Sequence, residues 1–197
     1  MTATDQLLTV EAFDALMSQP AYRDHRLELV DGYLMEKAMP TEEHGIIVGN
    51  LMFALMDYLR ERKLGRVFAE ARYKLSERNV RQPDIAVRLS SDPVWRQGSA
   101  PYIPDVAVEV QSPDDTIKGL RERATFYLSV GVKVVVLVLT FKRLIIALTP
   151  DDEQIYTLDE TLTLALLPEF ALPVRDVFKD PFETTGAAPA PQEPTTS

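Results

Sequence analysis

Two acidic residues carry the best case for chemistry: Asp84, directly after Pro83, and Glu109, inside the run DVAVEVQ at residues 105–111. Each falls on a strand by pattern, and neighbouring strands would let both carboxylates converge on one divalent cation. Mg²⁺ takes hard oxygen ligands and keeps several waters, so two carboxylates plus one backbone carbonyl, here that of Val110, are enough. A metal held this way lowers the pKa of an attacking water and stabilises charge on a transferring phosphoryl group. The plainer alternative is that Asp84 caps a turn and Glu109 is one polar residue on a half-solvated face. Spacing alone leaves both open.

The elements that would position these groups follow from the hydrophobic pattern. VEAFDALMS reads as a short helix with Val10, Phe13, Leu16 and Met17 on one side. RLELVDGYLMEK reads as a hairpin turning at Asp31-Gly32, a pair that readily supplies positive φ, with Glu28 in its first strand. Thr41 caps the next helix, Glu42 and Glu43 fill its first turn, and Ile47, Val48, Leu51, Leu55 and Leu59 form its apolar stripe. Gly49 is expected to admit a close neighbour, and Gly65 to end the helix. Strands are expected over 66–71, 72–75 and 84–89, with a turn at 76–79. A breaker-rich loop, SSDPVWRQGSAP, separates them from DVAVEVQ.

Alternation in DVAVEVQ sends Val106, Val108 and Val110 to one face and Ala107, Glu109 and Gln111 to the other. Glu109 therefore meets solvent or enters a polar cleft beneath a helix. That helix is expected over 117–129, with Ile117, Leu120, Ala124 and Leu128 buried and Gly131 as its stop. VKVVVLVL then reads as a central strand covered on both faces, paired with 143–148 and followed by one further strand and a short closing helix. The predicted architecture is α/β, a mixed β-sheet flanked by helices, in a single domain over residues 1–180. Residues 181–197, rich in Pro, Ala and Thr, are expected to form a disordered tail.

Composition removes several classes of function. The chain of 197 residues has no cysteine, which excludes disulfides, thiolate metal sites and thiol nucleophiles. His25 and His44 are the only histidines, too few for a histidine-rich metal centre. A net charge of −9 disfavours indiscriminate binding to nucleic acid, although local basic clusters such as Lys118, Arg121, Arg123 and Lys133 remain. No signal peptide or membrane-spanning run is read, so a soluble, cytoplasmic protein is expected.

The ordered set RLELVDG, TEEH at a helix start, R-x-PD, PDVAVEVQSPDD and RERATFYLSVGVKVVVLVL resembles the Uma2 family over residues 10–178. That family has a restriction-endonuclease-like fold within the PD-(D/E)xK nuclease superfamily. The resemblance implies that Asp84 and Glu109 are metal ligands for Mg²⁺ or Mn²⁺. It also places Glu28 and the Glu43-His44 pair near the active-site end of the sheet, Glu28 or Glu43 as an auxiliary carboxylate. His44 would orient a metal-bound water or contact phosphate, or else be a half-buried packing histidine. The pattern's lysine is replaced by Gln111, which would position water. The lysine that the family carries on the following helix is matched by Arg123, one turn before Tyr127, which would bind phosphate. Lys118 is a substitute from the helix start, and Trp95 would stack on a base or pack as a lid.

The implied function is a divalent-metal-dependent endonuclease acting on nucleic acid, DNA in the first place, with a homodimer by analogy to folds that straddle duplexes. The alternative is a non-catalytic member of the same fold that binds nucleic acid or protein.

Overall fold

The computed structural model describes residues 7–22, 24–180 and 182, so the expected tail lies, Phe182 apart, outside the described residues. Helix α1 (Val10–Met17) is capped by Thr9 and buries Val10 and Phe13. Strands β1 (Leu27–Val30) and β2 (Tyr33–Glu36) form the expected hairpin, and Asp31 and Gly32 take φ of 51° and 88°. Such a turn matches the right-handed twist of the strands it joins.

Helix α2 (Glu42–Arg62) starts where expected, the Thr41 hydroxyl accepting the His44 amide N–H at 3.2 Å. Its end differs. Lys63 rather than Gly65 takes the left-handed conformation. Gly65 serves close approach instead, since a Cβ there would lie 2.2 Å from the Arg88 carbonyl oxygen. Gly49, the expected site of close approach, has no neighbour within 4 Å of where its Cβ would be.

Strands β3 (Arg66–Ala69), β4 (Tyr73–Ser76), β5 (Asn79–Arg81) and β6 (Ile85–Arg88) follow, then β7 (Val106–Val110). The three-residue β5 was not expected; it is too short to show an alternation. Helix α3 (Ile117–Ser129) ends at Gly131, φ 108°, and leads into β8 (Val134–Leu139) and β9 (Leu144–Leu148). Where one more strand was expected there are three: β10 (Glu153–Tyr156), β11 (Thr161–Leu164) and β12 (Leu167–Pro173). The short helix α4 (Val174–Val177) closes the core.

The central sheet has six strands in the order β10-β9-β8-β7-β6-β3. Only β7 and β8 pair in parallel, and α3 is the crossover between them. A second sheet, β2-β1-β5-β4, continues into the first through the link from β5 to β6. On one face of the central sheet Ile47, Leu51 and Leu55 of α2 pack with Val106, Val108 and Val110. On the other, Leu120, Ala124 and Tyr127 of α3 pack with Ala107, Val135 and Leu137. Each large side chain buried this way contributes about 1.5–3 kcal/mol. Glu109 shares the second face, so it lies beneath α3. No helix among the described residues is long and apolar enough to cross a membrane.

Candidate active site

Strands β6 and β7 are antiparallel neighbours with Ile85 facing Val108, and the same register extended by one residue sets Asp84 opposite Glu109. The two carboxylates are 3% and 1% exposed. Asp84 Oδ2 accepts the Val110 amide N–H at 2.8 Å and lies 3.2 Å from His44 Nε2. The contact seen for Val110 is thus through its N–H. His44, in the first turn of α2, is buried against Asp84 rather than merely packed.

The residue that sequence reasoning missed is Lys37. It follows β2 directly, and its ammonium reaches Asp84 Oδ1 at 3.0 Å, Glu109 Oε2 at 3.9 Å and the Gln82 carbonyl at 2.6 Å. A signal for it was present. In the hairpin Glu28 pairs with Met35, and paired residues share a face, so Lys37, two residues on, lies on the face of Glu28. A lysine thus stands beside the pair, carried by the hairpin and not by β7 or α3.

On the other side, Glu109 Oε1 accepts the Tyr127 hydroxyl at 2.7 Å and Oε2 accepts Arg123 Nη1 at 3.0 Å. Arg123 and Tyr127 share a face of α3 as their spacing predicts, and they are spent first on Glu109. Glu28 accepts the Gln82 amide N–H at 2.7 Å and pairs with Arg81 at 3.2 Å, so it anchors the segment leading into Asp84. Gln111 donates to the Asp115 carbonyl at 3.2 Å, while its Oε1 is buried with no protein partner among the described residues.

Other expected residues are not brought to the pair. Glu43 is exposed on α2, with no hydrogen bond or ion pair to the site. Lys118 has a side chain 87% exposed and lies 3.6 Å from Glu122 on its own helix. Trp95 is 48% exposed, its indole N–H donating to the Gln97 carbonyl within the same loop. His25 is a surface residue beside Glu36.

Electrostatics separate the two carboxylates. Burial pushes Asp84 upward, but the His44 hydrogen bond, the Lys37 ammonium and the Val110 N–H outweigh it and hold Asp84 well below the usual carboxylate range. For Glu109 burial wins over the pull of Arg123 and Lys37, with Asp84 and Glu28 adding repulsion, and its pKa is raised. Burial pulls Lys37 down, yet Glu109, Asp84 and Glu28 together raise it, so it stays charged at neutral pH. Burial and the charge of Glu109 hold the Tyr127 hydroxyl well above its ordinary value, which makes it a neutral donor.

These groups fit a divalent cation in type and direction. Neighbours fix Asp84 Oδ2 and Glu109 Oε1, while Asp84 Oδ1 and Glu109 Oε2, the latter also held by Arg123, lie 3.0 and 3.9 Å from a cation, the Lys37 ammonium. Among the described residues no group of three or more His, Asp or Glu is arranged to hold a metal, so here the two carboxylates stand without a third such ligand.

Comparison with known proteins gives the family and the fold. The chain matches the model of the Uma2 family, "Putative restriction endonuclease", over residues 10–175. The crystal structure of a putative nuclease from Anabaena variabilis superposes with a TM-score of 0.75 at 20% identity, over 87% of this chain and 97% of that one. No match was found among curated proteins. Restriction-endonuclease-like families generally use divalent metals. With most of its length matched in order, the chain belongs to the Uma2 family.

Proposed function

We propose that this chain hydrolyses phosphodiester bonds of nucleic acid, DNA in the first place, at the Asp84–Glu109 pair. The observation that carries the reading is the register of β6 and β7, which sets two buried carboxylates face to face with a lysine between them. Asp84 and Glu109, with the Val110 carbonyl as a third oxygen, would hold Mg²⁺ or Mn²⁺. Bound there, the ion would acidify a water and offset charge on the scissile phosphoryl group.

The chain's own residues do the rest. His44 and the Val110 N–H fix the rotation of Asp84, as Tyr127 and Arg123 fix that of Glu109. The Lys37 ammonium is the charge that can turn to a phosphoryl oxygen as negative charge develops. Gln111 Oε1 is the acceptor left for a water, and the outer edge of Arg123 is the nearest guanidinium for a phosphate.

The rival is a non-catalytic module of the same fold. It is favoured by one observation: Glu28, Asp84 and Glu109 are matched in charge by Lys37, Arg81 and Arg123 without a ligand. The test is a cleavage screen of the full chain on supercoiled plasmid, linear duplex, single-stranded DNA and structured RNA, with Mg²⁺, with Mn²⁺ and with chelator. Cleavage that needs the metal and is lost in a folded Glu109→Gln protein supports hydrolysis. Binding to nucleic acid without cleavage in any condition supports the module.

A further inference from the structure

The position of Lys37 has a consequence for how the site would load. Its side chain is 9% exposed, and its ammonium stands 3.0 Å from Asp84 Oδ1 and 3.9 Å from Glu109 Oε2, the oxygen that Arg123 also holds. We propose that Lys37 is a built-in occupant of the cation seat, so that a divalent ion enters only as the ammonium leaves. The inference rests on the metal reading above and adds a competing residue to it.

Three features make exchange feasible. First, Lys37 follows β2, an edge strand whose four residues are all exposed, so its side chain can swing out without breaking the central sheet. Its backbone stays anchored, the Lys37 amide donating to the Arg26 carbonyl at 2.8 Å. Second, departure strands neither carboxylate. Glu109 keeps Arg123 and Tyr127, and Asp84 keeps His44 and the Val110 N–H. Third, His44 and the Val110 N–H hold Asp84 Oδ2 and Tyr127 holds Glu109 Oε1, while Arg123 holds Glu109 Oε2 at 3.0 Å. Departure of the ammonium therefore frees Asp84 Oδ1, with Glu109 Oε2 beside it still partnered by Arg123. A monovalent and a divalent cation at one point repel strongly at low dielectric, so both cannot be held there.

The experiment is Mn²⁺ titration of the full chain at constant pH by calorimetry, with Lys37→Met, Lys37→Gln and Lys37→Arg proteins whose folding is checked by circular dichroism. Asp84→Asn serves as the site control. Removing the charge in the Met and Gln proteins is expected to tighten Mn²⁺ binding by about tenfold or more, while Arg, which keeps the charge, does not tighten it. Binding that Asp84→Asn abolishes but that Met and Gln leave unchanged or weaker overturns the competing role and leaves the metal reading intact. No Asp84-dependent binding in any protein overturns both. Tightening in all three variants, Arg included, overturns the role of charge in favour of simple steric relief.

Discussion

The two halves of the site solve the same problem in opposite ways. Asp84 is reached by groups from three separate places: Lys37 after the hairpin, His44 from α2 and the Val110 amide from β7. Glu109 is served mainly by a single helix, α3, through Arg123 and Tyr127. The distributed half holds its carboxylate below the usual range, while the single-helix half leaves its carboxylate above it. A pair pushed apart in proton affinity is a common arrangement where acid and base roles are divided. Burial is the largest single influence on both; what separates them is that the donors together outweigh it at Asp84 and do not at Glu109.

The sharpest way to break the comparison is at Arg123. Because α3 supplies Glu109 alone, Arg123→Ala leaves a buried carboxylate with one neutral donor and a distant ammonium, at a cost of about 3 kcal/mol. Urea unfolding should show a lower midpoint with an unchanged slope. Lys37→Met should cost less, about 2 kcal/mol, since Asp84 keeps two donors. If Lys37→Met proves the more damaging, the distributed half is the weaker one and the contrast is reversed.

Acid titration sharpens the same point by sign. Asp84 has a depressed folded pKa, so its contribution is present above the ordinary value of about 3.9 and is lost as pH falls below it. Glu109 has a raised one, so its contribution is present below about 4.3 and is lost as pH rises through the folded value. Asp84→Asn should therefore flatten the acid limb of stability, whereas Glu109→Gln should remove a decline on the neutral side. Urea midpoints from acid to neutral pH measure both, and identical profiles would contradict the separation.

Tyr127→Phe removes one hydroxyl donor from Glu109 and should cost about 1.5 kcal/mol, read by the same unfolding. At the small end, Lys118→Ala and Trp95→Ala should each shift stability by no more than about 0.5 kcal/mol.

Much of this was legible in the chain. The Asp31-Gly32 turn, the Thr41 cap, α3 with its stop at Gly131, and the buried strand after it are local signals, and each formed as its residues dictate. The pairing of Asp84 with Glu109 needed only that β6 and β7 be neighbours. What stayed hidden depends on contacts distant in sequence. The Gly65 contact with Arg88 exists only once β3 lies against β6, and β5 is held by β1 and β4 rather than by its own propensity. Lys37 was hidden for the same reason: 47 residues separate it from Asp84, and only the folded hairpin closes that gap. The lysine beside the carboxylates comes from the hairpin, an element other than β7 or α3.

The most direct test of the central assignment is cleavage of nucleic acid in Mn²⁺ by wild type, Asp84→Asn and Glu109→Gln, each shown to be folded. The facing carboxylates predict cleavage by wild type and its loss in both variants. Cleavage that persists undiminished in Asp84→Asn would place the chemistry elsewhere and contradict the assignment.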